Sequence, residues 1–202
     1  MLGVKYVTAP KEDADIFEQN NFLKVFEGEK FAVFENLTVL PRVFLASNYE
    51  GPPDVFGKEP QSADELGERD KQRRELIFNK LLSSDFDIST TIILEKPSTI
   101  SPQFGLGSAQ IISYKPDEVI IKTSSSEPKI LFLSDNYFSG WKATIDGDET
   151  PVWRANYTFR AVPLVGGDHL VRFYYDNEIF KLALLISSGS VLMLILLLFG
   201  KS

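Results

Sequence analysis

The fold is decided by the segment ILFLSDNYFSGWKATIDGDETPVWRANYTFRAVPLVGGDHLVRFYY, which runs from Ile130 to Tyr175. Short runs of apolar and β-branched residues alternate in it with turn-forming residues. The run from Trp141 to Ile145 (WKATI) alternates apolar and polar positions, which predicts a strand with one apolar face. The following Asp146-Gly147 pair tolerates positive φ and therefore predicts a tight hairpin.

Strand-like runs of the same kind recur outside this segment and predict a mainly β fold. Gly166-Gly167 supplies another turn before the final strand. Many short strands without intervening helices are typical of an antiparallel β-sandwich, here expected to be jelly-roll-like. The other predicted strands are Val4–Thr8, a hairpin of Leu23–Phe26 and Phe31–Phe34, Arg42–Ala46, Thr91–Leu94, Ala109–Tyr114, Glu118–Thr123, Lys129–Ser134, Val152–Ala155, Thr158–Val162 and His169–Tyr175.

One helix is predicted on the flank of the sheets. Residues 47–69 are rich in Pro, Gly and charge, which favours a long surface excursion. From Asp70 to Leu82, four apolar residues recur at helical spacing behind a charged stretch, namely Ile77, Phe78, Leu81 and Leu82. This segment is therefore predicted to be one short amphipathic helix.

The C-terminal segment from Leu182 to Phe199 contains no charged residue and is dominated by Leu, Ile and Val. As a helix it would be about 27 Å long, close to a hydrocarbon thickness of roughly 30 Å. The sequence thus predicts a single transmembrane helix in the lipid bilayer over residues 178–200, after a β-rich domain over residues 1–177. A buried core helix is the alternative, but such a helix rarely stays apolar on every face.

The N-terminal residues MLGVKYVTAP lack a basic region followed by an apolar stretch, which is the pattern of an export signal. We expect that a domain outside the cell would need an upstream segment to carry it there, as in a fragment or a split gene. A complete chain would instead be a tail-anchored cytoplasmic protein. The charges that flank the apolar segment are too few to set its orientation.

Composition narrows the possible functions. A net charge of −7 and a pI near 4.9 argue against nucleic acid as a partner, because no run of Lys and Arg is present to neutralise phosphates. The absence of cysteine excludes disulfides, thiolate catalysis and Cys-based zinc sites. His169 is the only histidine and is predicted to be a turn or strand residue, so neither a metal site nor a cofactor is expected.

Several motifs follow one another in the segment that decides the fold. They are a Ser-Asp-x-Tyr-x-x-Gly-Trp turn, the Asp-Gly hairpin, an Asn-x-x-Phe-Arg-Ala-Val strand and a Gly-x-His-x-Val strand. In this order and spacing they resemble the C-terminal region of the YfhO-like family of bacterial membrane proteins. Upstream, VKYV at Val4–Val7 and the segment from Glu35-Asn36 to Leu40-Pro41-Arg42 also look like family features. The residues that carry the motifs are Ser134, Asp135, Tyr137, Gly140, Trp141, Asp146, Gly147, Asn156, Phe159, Arg160, Ala161, Val162, Gly167, His169 and Val171.

The resemblance implies a role at the cell envelope. YfhO-like proteins are polytopic and are taken to be glycosyltransferases that decorate surface polymers such as lipoteichoic acid from a lipid-linked sugar. Their chemistry is assigned to acidic residues in the first extracytoplasmic loops among many helices, and this sequence contains none of those helices. The resemblance therefore implies a non-catalytic accessory module and membrane anchor with its β-rich domain on the extracytoplasmic side, and with the multi-helix body and a cell-wall polymer or glycan as partners. The alternative is a stand-alone, tail-anchored interaction or carbohydrate-binding domain.

The loops of the same motifs provide candidate contacts to carbohydrate. Aromatic rings exposed beside loop amides and charges suit sugar rings and hydroxyls, although aromatic residues are more often core. The turn SDNYFSGW is equally well explained by shape, with Asp and Asn bonding their own backbone and Trp141 returning the chain to the core. The candidate residues are Asp135, Asn136, Tyr137, Trp153, Asn156, Tyr157 and Arg160.

No catalytic residue is expected. A glycoside hydrolase would need paired carboxylates, and Asp135, Asp146, Asp148 and Glu149 are the available acids. Three of them fall in one hairpin turn, whose usual role is solvation and chain reversal. The same acids lack the spacing of a calcium-binding EF-hand.

Overall fold

The computed structural model describes residues 3–18, 22–51, 63–96, 98–176 and 178–199, and these residues form mainly antiparallel β-sheet. The mainly β architecture expected from the sequence is confirmed. The elements in chain order are β1 (Tyr6–Pro10), a 3₁₀ turn (Lys11–Asp13), α1 (Ala14–Glu18), β2 (Phe22–Glu27), β3 (Phe31–Asn36), β4 (Val43–Ala46), β5 (Asn48–Glu50), α2 (Ala63–Leu81), β6 (Thr91–Ile93), β7 (Gly107–Lys115), β8 (Glu118–Ser125), β9 (Lys129–Asn136), β10 (Trp141–Ile145), β11 (Asp148–Thr150), β12 (Trp153–Ala155), β13 (Phe159–Leu164), β14 (Gly167–Tyr175) and α3 (Glu178–Phe199).

Two antiparallel sheets supply the main core. One has the strand order β11-β10-β14-β8-β7 and the other β12-β13-β9-β4. Along β14, Val171 and Phe173 are buried while Arg172 between them is exposed, which is the period-two alternation of a strand with one covered face. These two residues share a core cluster with Leu131 and Leu133 of the other sheet. The two sheets therefore pack their apolar faces against each other.

Strand β9 is covered on both of its faces, which explains its unbroken apolar run ILFL. Leu131 and Leu133 point into the core shared with the larger sheet. Ile130 and Phe132 point the opposite way, into a second cluster that includes Ile92 and its neighbours around β6. The side chains of all four residues of the run are fully buried. Strand β9 is thus the central strand of the molecule.

A smaller three-stranded sheet, in the order β1-β3-β2, precedes the main sheets in the chain. The predicted hairpin of β2 and β3 is confirmed, since these strands pair antiparallel. Phe34 is completely buried here, and the ring of Phe17 from α1 stacks on it with centroids 5.0 Å apart. The short helix α1 was not expected from the sequence.

One pair of strands departs from the antiparallel prediction. Strands β5 and β6 pair in parallel, with Tyr49 opposite Ile92. Strand β5 lies in residues 47–69, which the sequence assigned to a surface excursion because of their Pro, Gly and charge. The error has a physical reason: Tyr49 packs on the buried cluster beneath β9, and this long-range contact outweighs the local turn propensity.

Helix α2 is longer than predicted. It begins at Ala63 and ends at Leu81, whereas the sequence indicated a short helix from Asp70 to Leu82. The added turns are mostly polar, so their composition alone favours a loop. In the structure the Gln72 side chain donates a hydrogen bond to Glu68 one turn earlier, as helical neighbours do. Ile77, as predicted, faces inward and is buried. One more strand that the sequence did not indicate, β11, pairs with β10.

The tight turn between β10 and β11 is confirmed. Asp146 and Gly147 have φ angles of 54° and 101°, the left-handed conformations that a narrow hairpin requires. The Asp146 carboxylate also accepts a hydrogen bond from the Leu170 backbone N–H at 2.8 Å and contacts Nδ1 of His169 at 2.7 Å. His169 therefore fastens β14 to this turn, in keeping with the predicted structural role.

The C-terminal helix α3 begins at Glu178 and ends at Phe199. The sequence predicts that this helix spans a membrane, and the structure does not support that prediction. In the part of the chain that the structure describes, no helix is long and apolar enough to cross a bilayer.

We predict that Gly140→Ala destabilises the fold by about 1–3 kcal/mol through overpacking. A Cβ atom at Gly140 would lie 2.5 Å from the Tyr175 ring, which packs edge-on against Trp141 with centroids 5.6 Å apart. The control is Gly67→Ala in α2, where nothing lies within 4 Å and Ala should stabilise the helix by about 0.5–1 kcal/mol. Thermal unfolding followed by circular dichroism measures both variants. Equal shifts in melting temperature would contradict the placement of Gly140.

Candidate functional site

An open cleft with a volume of about 340 Å³ lies at one end of the two main sheets. A β-bulge helps to form it. The pairing of β13 with β9 jumps from Asn136 opposite Phe159 to Leu133 opposite Arg160, which leaves Ser134 and Asp135 as extra residues on β9. The charged and aromatic side chains that line the cleft are Arg42, Tyr114, Lys115, Asp135, Trp141 and Arg160.

The carboxylate of Asp135 is the centre of the site, and only 7% of the residue is exposed. Its Oδ1 accepts hydrogen bonds from Nε and Nη2 of Arg42 at 2.9 and 2.7 Å. Its Oδ2 accepts one from Nη2 of Arg160 at 3.0 Å and one from the Tyr114 hydroxyl at 3.1 Å. A carboxylate has about four lone-pair sites, so this one is saturated.

Arg160 joins the two sheets at the floor of the cleft, where it is 2% exposed. Its guanidinium carbon lies 3.8 Å from the ring centroid of Trp141 on β10 and 5.6 Å from that of Phe173 on β14. Burial lowers the pKa of Arg160, while the charge of Asp135 opposes that shift. An arginine nonetheless stays protonated in a protein, so the floor of the cleft carries a buried cation. Among the described residues, its Nη1 has no hydrogen-bond partner.

Asp135 also contributes to the pKa shifts of Arg42 and Tyr114, which lie nearer the mouth of the cleft. Burial works against the charge of Arg42, but its hydrogen bonds and attraction to Asp135 outweigh burial and raise its pKa. Burial, followed by the charge of Asp135, raises the pKa of Tyr114. Tyr114 therefore remains a neutral hydroxyl that donates to Asp135 and accepts from Arg42. The Arg42 guanidinium also stacks 4.4 Å from the Tyr114 ring centroid.

Three of the seven residues predicted to contact carbohydrate meet in this cleft, and a fourth is adjacent to it in the chain. Asp135, Asn136 and Arg160 line it together. Tyr137 follows Asn136 on the surface, where the Arg154 guanidinium lies 5.0 Å from its ring centroid. Asn136 is exposed and Tyr137 is half-buried, so both have surface available for contact.

The other three predicted contact residues lie elsewhere. Trp153 is buried in the cluster beneath β9. Asn156 is 3% exposed, and its side-chain oxygen accepts a hydrogen bond from the Ile93 N–H at 2.7 Å. Tyr157 packs against the buried cluster under α2, with its ring centroid 6.4 Å from that of Phe78. These side chains hold the β12–β13 hairpin against the body of the protein, so the seven residues do not form a single platform.

No local sequence pattern identifies the residues that complete the site around Asp135 and Arg160. Arg42 lies 93 positions from Asp135 in the chain, and no local pattern links the two. The one available signal was that Arg42 belongs to the upstream segment that looks like a family feature. Trp141 was assigned to the core, and it is half-buried, with one part packed on the core and another lining the cleft.

The acidic turn residues do not join the cleft. Asp148 and Glu149 are exposed. The hydrogen bonds from His169 and from the Leu170 backbone lower the pKa of Asp146 and keep it a structural anion. In the described ranges, no three His, Cys, Asp or Glu side chains are grouped so that they could hold a metal ion.

Comparison with known proteins gives one match. Residues 105–187 match a family described as bacterial membrane protein YfhO. This part of the chain is YfhO-like. The YfhO-like region begins before β7, includes every strand through β14 and ends within α3, and it contains all the charged and aromatic residues of the cleft except Arg42. Searches of curated proteins and of solved structures gave no match. The match supports association with a membrane.

We expect strong energetic coupling between Arg160 and Asp135, because removing either side chain would leave the other as a buried, partly unpaired charge. Arg160→Met and Asp135→Leu should each cost about 3–5 kcal/mol in unfolding free energy, and the double variant should cost clearly less than the sum. The exposed pair Lys5–Glu35, whose charged atoms are 3.2 Å apart, is the matched control and should show coupling close to zero. Urea unfolding of the four variants of each cycle provides the measurement. Additive losses for Arg160 and Asp135 would contradict the arrangement.

Proposed function

We propose that this chain is a non-catalytic accessory module of a YfhO-type membrane glycosyltransferase, held at the membrane by α3 with its β-domain outside the cell. One observation carries the proposal. The YfhO-like region continues from the β-sheets into α3 without interruption, as expected if sheet and helix belong to one unit of a membrane protein. The glycosyltransferase role is what the family resemblance implies.

The surface of α3 supports the membrane part of the proposal. Its described apolar side chains are exposed, and a large uncovered apolar surface usually marks an interaction site. The hydroxyls of Ser188 and Ser190 donate to backbone oxygens one turn earlier, at 2.7 and 2.9 Å, so they need no water. The exposed residues are Phe180, Leu184, Leu185, Ile186, Val191, Leu192, Met193 and Phe199.

The chemistry of the cleft supports a non-catalytic role. Asp135 is the one carboxylate among the residues that line it, and glycoside cleavage by acid and base needs two. Both oxygens of Asp135 already accept two hydrogen bonds each from cationic or phenolic donors. All of its hydrogen-bonding positions are therefore used to hold Arg42, Arg160 and Tyr114 in place, so binding is the function that the site fits.

The exposed edge of the cleft is the proposed place for contact with a cell-surface glycan. Asn136 offers an amide to sugar hydroxyls, and Tyr137 offers a ring that Arg154 already covers on one side. Asp135 and Arg160 would support this edge from below. The multi-helix body of the transferase is the proposed protein partner, and a cell-wall polymer the proposed ligand.

Substitution in α3 tests the membrane attachment. Leu192→Arg should release a large part of the full chain from bacterial membranes on alkaline carbonate extraction, because it places a charge within the exposed apolar surface of α3. Leu192→Ala is the matched control and should stay in the membrane fraction. Complete extraction of the unaltered chain would refute attachment through the apolar surface of α3.

Protease treatment of intact cells tests the orientation. The proposal requires that the β-domain be digested when the chain is expressed together with the multi-helix body of the transferase. Digestion only after lysis would favour the stand-alone, tail-anchored alternative.

A further inference from the structure

We infer that the cleft is a receptor for a phosphate ester presented at the membrane surface, held between Arg42 and Arg160. The inference deepens the proposed function, on which its membrane aspect rests. Arg160 is one of the predicted sugar contacts, whereas Arg42, Tyr114, Lys115 and Trp141 are not, so the inference rests mainly on residues outside that set.

The charges of the cleft favour an anion, although the chain as a whole carries −7. Arg42, Arg160 and Lys115 line it, and Asp135 is the single acidic residue that does so. Lys115 is also weakly paired. The carboxylate of Glu118 lies 3.5 Å from its Nζ, and that carboxylate also accepts a hydrogen bond from Nε of Arg172 at 2.6 Å. Three cations facing one carboxylate give the cleft a positive field, and low-dielectric walls concentrate such a field.

Guanidinium hydrogen-bonding capacity remains after Asp135 is saturated. Within the described residues, the hydrogen bonds of Arg42 use Nε and Nη2, and the side chain is 51% exposed. The Nη1 of Arg160 is a buried donor without a partner in the same residues, and leaving such a donor unmatched is unfavourable. Two guanidiniums with capacity left, one at the mouth and one at the floor, suit a group with several anionic oxygens.

The position of the cleft points to a ligand at the membrane. Trp141 pairs with Tyr175 at the end of β14, and α3 begins at Glu178, so the cleft lies at the end of the sheet from which the chain enters α3. Trp141, Tyr175 and Tyr114 gather at this end, and Trp and Tyr are the residues that favour the boundary between apolar chains and water. Their rings would pack against the carbon atoms of the ester.

Binding to the full chain in lipid nanodiscs tests the inference. In nanodiscs of digalactosyldiacylglycerol, a lipid without phosphate, sn-glycerol 3-phosphate should shift the Nε–Hε NMR signals of Arg42 and Arg160 in a saturable way, and uncharged glycerol should not. Arg42→Gln should weaken binding about tenfold or more, because charge-assisted hydrogen bonds are lost. Lys30→Gln, which removes the same charge in the exposed turn between β2 and β3, should leave the affinity unchanged.

Phosphatidylglycerol nanodiscs identify the source of the phosphate. If lipid headgroups occupy the cleft, the two signals should already be shifted in these discs, and sn-glycerol 3-phosphate should bind with a lower apparent affinity. If the ligand is soluble, both lipids should give the same affinity. Shifts with neither probe, or equal weakening by Arg42→Gln and Lys30→Gln, would overturn the inference. A chain that stays out of the discs yet binds sn-glycerol 3-phosphate in buffer would instead refute the membrane attachment alone.

Discussion

The buried ion pair of Arg160 and Asp135 is the interaction on which the end of the fold with the cleft depends. Asp135 belongs to the bulge of β9 and Arg160 to the facing strand β13, while Trp141, which covers the guanidinium, comes from the other sheet. One cation therefore connects three strands and both sheets. Its position also fixes Arg42, because both guanidiniums share the same carboxylate.

Stability alone does not explain such a pair. Removing two charges from water costs several kcal/mol for each ion, and well-packed apolar residues often stabilise a protein as much or more. The phenol of Tyr114 and the second guanidinium of Arg42 reduce this cost by completing the hydrogen bonds of Asp135. The ion pair is explained if the protein requires a positively charged cleft at the end of β14 that precedes α3, where the aromatic rings lie.

Local patterns predicted the strands well and the site only in part. Alternation identified β10 with its observed bounds, and the Asp146-Gly147 pair identified the turn after it. Local patterns do not indicate contacts between segments that are distant in the chain. Tyr49 draws a turn-like segment into a parallel strand pair, and Arg42 reaches Asp135 across 93 positions. Asn136 and Asn156 look alike in sequence, yet one is exposed and the other buried, since burial depends on which element covers each loop.

The most direct measurement is the nitrogen-15 NMR spectrum of the guanidinium groups in the full chain. A guanidinium held between Asp135 and the Trp141 ring rotates slowly and exchanges its protons slowly, because it is buried. The account predicts resolved, slowly exchanging Nη protons for Arg160 near neutral pH, which persist in Arg42→Gln and disappear in Arg160→Lys. A single averaged, rapidly exchanging Nη signal for every arginine would contradict it.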